Sequence, residues 1–147
     1  MIDKNLIGHS LAPVELPVEE GRLKFLAKAL GQTDPIYTDV ETARAAGYSN
    51  LPAPPTFPFM LEVDALDLMD FMKLVGQDLK KLLHGEQGFE YHHPICAGDR
   101  ITTVKTITDI FDKKDGALEF LVSENTFTNQ DGVLCATSRT SYVFRNA

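Results

Sequence analysis

Up to about residue 75 the apolar residues recur at helical spacing, and beyond residue 82 they mostly alternate with polar ones, so the period of the pattern changes once along the chain. The stretch around which the rest is organised is 51–74, LPAPPTFPFMLEVDALDLMDFMKL, a proline-rich approach to a long apolar helix predicted over 59–74. Phe59, Val63, Leu66, Met69 and Met72, with Leu68, Phe71 and Leu74 beside them, form a surface wider than the stripe of a solvent-facing helix. This helix is therefore expected to be wrapped by the rest of the chain, with Glu62, Asp64, Asp67, Asp70 and Lys73 on its wetter side.

The remaining elements follow in order. A short edge strand is predicted over 11–16, where Pro13 and Pro17 restrict it to the margin of a sheet. A helix over 19–30 places Leu23, Leu26 and Leu30 on one face with Phe25 and Ala29 beside them, and Gly31 ends it. Asp34-Pro35 signals a turn. Thr38 or Asp39 can then cap a second short helix that Gly47 closes. Pro52, Pro54, Pro55 and Pro58 stiffen the approach to the long helix. Four strands are predicted over 82–93, 101–111, 118–128 and 133–144, with the polar turns DKKDG and NQDG joining the last three. On the first of these strands Phe89 and Tyr91 share one side, and Glu90 and His92 the other. The expected architecture is α+β, with a long central helix wrapped by a curved antiparallel β-sheet.

Size and charge narrow the reading without deciding it. A chain of 147 residues is expected to form one domain, 1–147. A net charge of −7 and a pI near 5.0 argue against a nucleic-acid partner but leave room for a small anionic ligand at a local patch. The first residues lack the apolar run of a signal peptide and no stretch approaches transmembrane length, so a cytoplasmic protein with no membrane partner is expected. Cys96 and Cys135 read as separate buried thiols of a reducing compartment.

Two regions carry candidate chemistry. In the first, Asp34, Tyr37, Asp39 and Tyr48 crowd towards the start of the long helix, where backbone amides near Ala53, Pro54, Pro55 and Thr56 can receive a carbonyl or phosphate oxygen. The same residues taken singly read as a turn former, a helix cap and two half-buried spacers. In the second, His84 and Glu86 lie two apart, and on one strand face the carboxylate could orient the imidazole. A solvated sheet edge would look the same. Neighbouring His92 and His93 should point to opposite faces of a strand, so no metal site is expected. Glycine-rich phosphate loops, HExxH and the nucleophile elbow are absent from the sequence.

In GQTDPIYTD, the Ala43 to Tyr48 segment, LPAPPTF, HGEQGFEYHHPICAGD and the closing TNQDGVLCATSRTSYVFR, the chain resembles the MaoC-like hydratase/dehydratase family of the hot-dog fold. It is most similar to the branch of N-terminal or fatty-acid-synthase-type dehydratase domains. The resemblance implies reversible hydration of an enoyl thioester, with coenzyme A or an acyl carrier protein presenting the acyl group and no cofactor or metal. Active members share a signature Asp-x-Asn-Pro-x-His-x-Asp whose first Asp and His move the proton. Here Gln32 stands at the acid's position and Tyr37 at the histidine's. The substitution admits two readings. In one, the chain is an enzyme using Tyr37 with His84 and Glu86; in the other, it is a non-catalytic subunit shaping the acyl channel of a heterodimer whose sister chain is catalytic. A thioesterase and a binding protein remain alternatives. The resemblance also implies pairing of two units, first as a homodimer and otherwise as a heterodimer, with the strand at 132–144 a candidate seam. Arg100, Lys105 and Arg139 are the basic residues expected to meet an acidic carrier.

Overall fold

The computed structural model describes residues 1–146. Its sheet has five antiparallel strands: β1 (Val14–Pro17), β2 (Leu82–Tyr91), β3 (Arg100–Lys113), β4 (Leu118–Thr128) and β5 (Leu134–Arg145), in spatial order β1-β3-β4-β5-β2. The helices are α1 (Glu20–Ala29), α2 (Val40–Ala45), α3 (Phe57–Ala65) and α4 (Leu68–Val75). The three long strands appear where the alternation placed them. The fourth strand, β2, pairs with β5 and leaves its other side open. The closing strand β5 is therefore interior, and the seam expected there has no free edge to use: Phe144 and Tyr142 are buried in the protein's own core.

The long helix is divided. Leu66 turns out of the helical region at φ −100 and ψ 114, and Asp67 restarts the chain by accepting from the amides of Met69 and Asp70 at 3.0 Å each. An Asp with this local bonding is a strong N-cap, and the apolar spacing masked it because it runs on through the break. Burial on α1 also departs from the expected face. Leu23 and Ala27 face inward, whereas Leu30, Ala29 and Phe25, the last 70 % exposed, do not.

Two apolar clusters form the core. One gathers Leu23, Leu51, Phe57, Leu61, Ile101 and Phe127 under α1 to α3; the other gathers Phe71, Met72, Val75, Ile110, Leu121 and Phe144 under α4. Between them lies a polar layer. Glu62, expected on the wet side of its helix, is 2 % exposed and reaches down from α3 to Lys105 of β3 at 2.7 Å. Its carboxylate also accepts from the hydroxyls of Ser138, Thr140 and Tyr142 on β5 at 3.0, 2.8 and 3.2 Å. Lys105 donates in addition to Ser123 and Tyr142 and is no surface cation, contrary to the expected basic patch. No helix among the described residues is long and apolar enough to cross a membrane.

Candidate functional site

At the start of α3 the chain leaves a cleft of about 340 Å³. Its walls come from three places: Tyr37 and Tyr48 around α2, the proline segment through Pro52, Ala53, Pro54, Pro55 and Pro58, and the end of β2 with Tyr91, His92, His93 and Ile95. The Tyr91 hydroxyl donates to the Pro55 carbonyl and ties the last two walls together. The amide of Ala53 donates to Ile95 at 2.7 Å, a second tie across the same gap.

The structure brings some of the expected residues together and separates others. Tyr37, Tyr48, Ala53, Pro54 and Pro55 share the cleft. Gln32 is exposed just after α1, where its amide donates to Ala27 at 2.9 Å. Asp34 accepts from the Ile36 amide at 3.0 Å and caps the 3-10 turn Pro35–Tyr37. Asp39 accepts from the Thr42 amide at 3.1 Å and caps α2. Both carboxylates are engaged in local backbone structure, and neither lines the cleft. Thr42, through its hydroxyl first and its amide second, holds the Asp39 carboxyl below the usual carboxylate value.

His84 and Glu86 do not share a face. Gly85 forms a bulge, so His84 pairs with Tyr142 while Glu86 pairs with the next residue, Ser141. Tyr142 points to the helix side, where its hydroxyl meets Glu62, and His84 packs against Phe59 of α3 with the rings tilted by 51° and their centroids 5.3 Å apart. Glu86 lies on the outer side with Phe111, Lys113 and Arg139. Along the strand, His84 is about 20 Å from Tyr91 at the usual rise per residue, too far to act in the same chain's cleft. Conversely, His92 and His93 both line the cleft, because the chain bends after Tyr91 and strand alternation no longer applies; both amides donate to Cys135, at 2.8 and 3.0 Å. The HHP sequence was the available signal, since the residue before a proline leaves regular structure readily.

Proton chemistry in the cleft is limited by these placements. Partial burial pushes the Tyr37 hydroxyl above its ordinary value, and the nearby Tyr48 and Asp34 push the same way. It is a hydrogen-bond donor at neutral pH and a poor base. The helix start is also short of amide donors. Pro54, Pro55 and Pro58 have none, Ala53 donates to Ile95, and Phe57 donates back to Pro54 at 2.9 Å. Of residues 53–56, this leaves Thr56 with an uncommitted amide, but Thr56 is exposed and does not itself line the cleft.

Comparison with known proteins places this geometry. A family model described as the FAS1-like dehydratase domain region matches residues 5–138. A UPF0336 protein of Saccharopolyspora erythraea is 35 % identical over 146 residues, covering 98 % of this chain and 92 % of its relative. Among solved structures, the C-terminally truncated HadBC (3R-hydroxyacyl-ACP dehydratase) complex from Mycobacterium tuberculosis superposes with a TM-score of 0.80 at 27 % identity, over 94 % of this chain and 96 % of that one. A MaoC-like dehydratase superposes at 0.84 with 26 % identity, over 96 % of this chain but 42 % of that longer one. The arrangement is the hot-dog fold.

Proposed function

The chain belongs to the FAS1-like dehydratase family, and from that premise we propose that it is the acyl-thioester-framing subunit of a 3-hydroxyacyl-thioester dehydratase, with proton transfer supplied by a second hot-dog chain. The observation that carries this reading is the pair of residues at the family's acid and base positions. Gln32 has no titratable proton, and Tyr37 sits where burial strengthens its hold on its own.

Dehydration requires a base to remove the proton beside the thioester carbonyl and an acid to accompany the departing 3-hydroxyl. In this chain Tyr37 and Tyr48 can hydrogen-bond an acyl thioester, and Ala53, Pro54 and Pro55 present an apolar wall that keeps water away from it. The uncommitted amide of Thr56 lies outside the cleft lining, so residues 53–56 bring no main-chain donor to the carbonyl oxygen. The chemistry needs proton transfer and an oxyanion site, so no metal or cofactor enters the reading. The substrate is an acyl group on coenzyme A or an acyl carrier protein in the cytoplasm. The HadBC neighbour, named as a complex and as a 3R-hydroxyacyl-ACP dehydratase, supports the two-chain assembly and the stereochemistry.

Co-expression with a hot-dog chain that carries the Asp and His pair is the test. Dehydration of a (3R)-hydroxyacyl thioester is expected from the co-purified pair and is expected to collapse when the sister's Asp is changed to Asn. The presence of His92 and His93 beside Tyr37 favours one competing reading, an enzyme sufficient in itself. Robust turnover by this chain alone, lost in a His92→Gln, His93→Gln variant, would establish that alternative.

A further inference from the structure

The outer face of the sheet carries a depression of about 160 Å³, separate from both the cleft and the buried polar layer. Part of its floor is bare main chain at Gly85, where the bulge presses so close to Val143 that no side chain would fit. Beside it lies Ser141, which is 5 % exposed and lines the depression, yet its hydroxyl has no hydrogen-bond partner among the described residues. A buried hydroxyl ordinarily has one.

The charges around this floor are also uncommitted. Glu86 pairs in register with Ser141 and Gly88 with Arg139, so Glu86 and Arg139 are diagonal neighbours on adjacent strands, within reach of long side chains. Both line the depression, but they form no ion pair with each other. Glu124 stands opposite Arg139 on β4, outside the depression, and does not pair with it either. On the remaining side Phe111 and Phe120 lie face to face, their centroids 4.8 Å apart and their planes within 4°. The Lys113 ammonium sits 5.6 and 4.9 Å from those two centroids, with no carboxylate beside it among the described residues.

The geometry points to a binding site for a free α-amino acid with an aromatic side chain, its carboxylate held by Arg139 and Ser141, its ammonium by Glu86 and its ring by Phe111 and Phe120. The mixture of charges selects the ligand. A simple anion would answer Arg139 and Lys113 but sit beside an unpaired carboxylate, and a simple amine would answer Glu86 while meeting two cations. A zwitterion satisfies both signs at once. Guanidinium suits a carboxylate through its paired donors, and a parallel aromatic pair gives a further ring a surface to stack on. The depression has room for about five waters at roughly 30 Å³ each, which suits an amino-acid head group and excludes a nucleotide. The sheet itself lies between this site and the cleft, so the inference stands apart from the acyl-thioester reading.

Titration calorimetry of the purified full-length chain with L-phenylalanine tests the site. Four matched probes dissect it: 3-phenylpropionate lacks the ammonium, 2-phenylethylamine the carboxylate and glycine the ring, and inorganic phosphate is a bare anion. Phenylalanine is expected to bind one per chain and about tenfold more tightly than any of the four. The backbone amide resonances of Gly85, Glu86 and Ser141 should shift on binding, and those of Tyr48 and Ala53 in the cleft should not. Glu86→Gln should erase the preference over 3-phenylpropionate and Arg139→Gln the preference over 2-phenylethylamine, while Lys28→Gln on exposed α1 surface leaves both. Absence of saturation by about 10 mM, above the millimolar affinity expected for so small a ligand, overturns the inference. So does equal affinity for 3-phenylpropionate or phosphate, or a set of shifted resonances confined to the cleft. The probe series on the parent chain decides the matter even where a variant fails to fold.

Discussion

Beneath α3 a buried carboxylate, ammonium and phenol share hydrogen bonds; at the start of the same helix, phenols and imidazoles line an open cleft that contains no carboxylate. Burial alone would raise the Glu62 carboxyl, yet the charge of Lys105 and the hydrogen bonds from Lys105, Thr140 and Ser138 outweigh it and hold Glu62 below the ordinary value. Burial pulls the Lys105 ammonium down against the attraction of Glu62, and drives the Tyr142 hydroxyl far up, with Glu62 adding to the effect. The strongest electrostatics thus serve the join between two apolar clusters. In the open cleft the shifted groups are two tyrosines, Tyr37 and Tyr91, whose protons partial burial holds more tightly. Perturbed groups mark functional sites only when a ligand can reach them, and here the charged pair Glu62–Lys105 is buried while the accessible cleft carries only neutral, proton-retaining tyrosines among its shifted groups.

The comparison breaks most visibly if the buried layer is disturbed. Glu62→Leu strands a buried ammonium and should cost about 3–5 kcal/mol. In thermal unfolding this corresponds to a fall of about 10 °C or more, most of which Lys105→Met in the same chain should restore. A loss within the range of an ordinary surface change would mean that the layer does not hold the helix down.

Acid should act on the same layer next. The folded Glu62 value lies below the unfolded one, so its contribution is present above about pH 4.3 and fades as pH falls through the lowered folded value. Urea midpoints followed from neutral to acid pH should fall less steeply in the Glu62→Leu, Lys105→Met double variant than in the parent chain. Parallel curves would contradict this assignment.

Smaller effects sharpen the boundary between the regions. An added Cβ at Gly85 would lie 2.7 Å from Val143 Cγ2 and 3.1 Å from the Ser141 carbonyl oxygen, so Gly85→Ala should cost about 1–3 kcal/mol by denaturant unfolding. Asp39→Ala should slightly lower thermal stability through loss of the α2 cap and leave acyl-thioester affinity unchanged. The reverse pattern would move Asp39 from helix capping into the binding site.

What could be read from the sequence follows from how local each signal is. The turns DKKDG and NQDG and the alternation around them located β3 to β5, and of the two capping candidates, Thr38 and Asp39, the structure selects Asp39. Glu62 was misplaced because helical periodicity sees only one helix; the clue was Lys105, an ammonium at an inward position between Ile101 and Ile107 of a buried strand. His84 and Glu86 were put on one face because a bulge is invisible to a count of two. The cleft's tyrosines and prolines were legible as a group, but His92 and His93 join them through a bend that strand alternation does not describe.

The central claim is that the cleft receives an acyl thioester without the means to move its proton. The most direct measurement is hydration of a trans-2-enoyl-CoA by the purified chain alone, followed as loss of enone absorbance, with binding of the same thioester measured alongside. Binding without turnover is the expected result, with the affinity weakened a few-fold by Tyr37→Phe through loss of its hydrogen bond. Turnover by the chain alone that falls about a hundredfold in Tyr37→Phe would contradict the account.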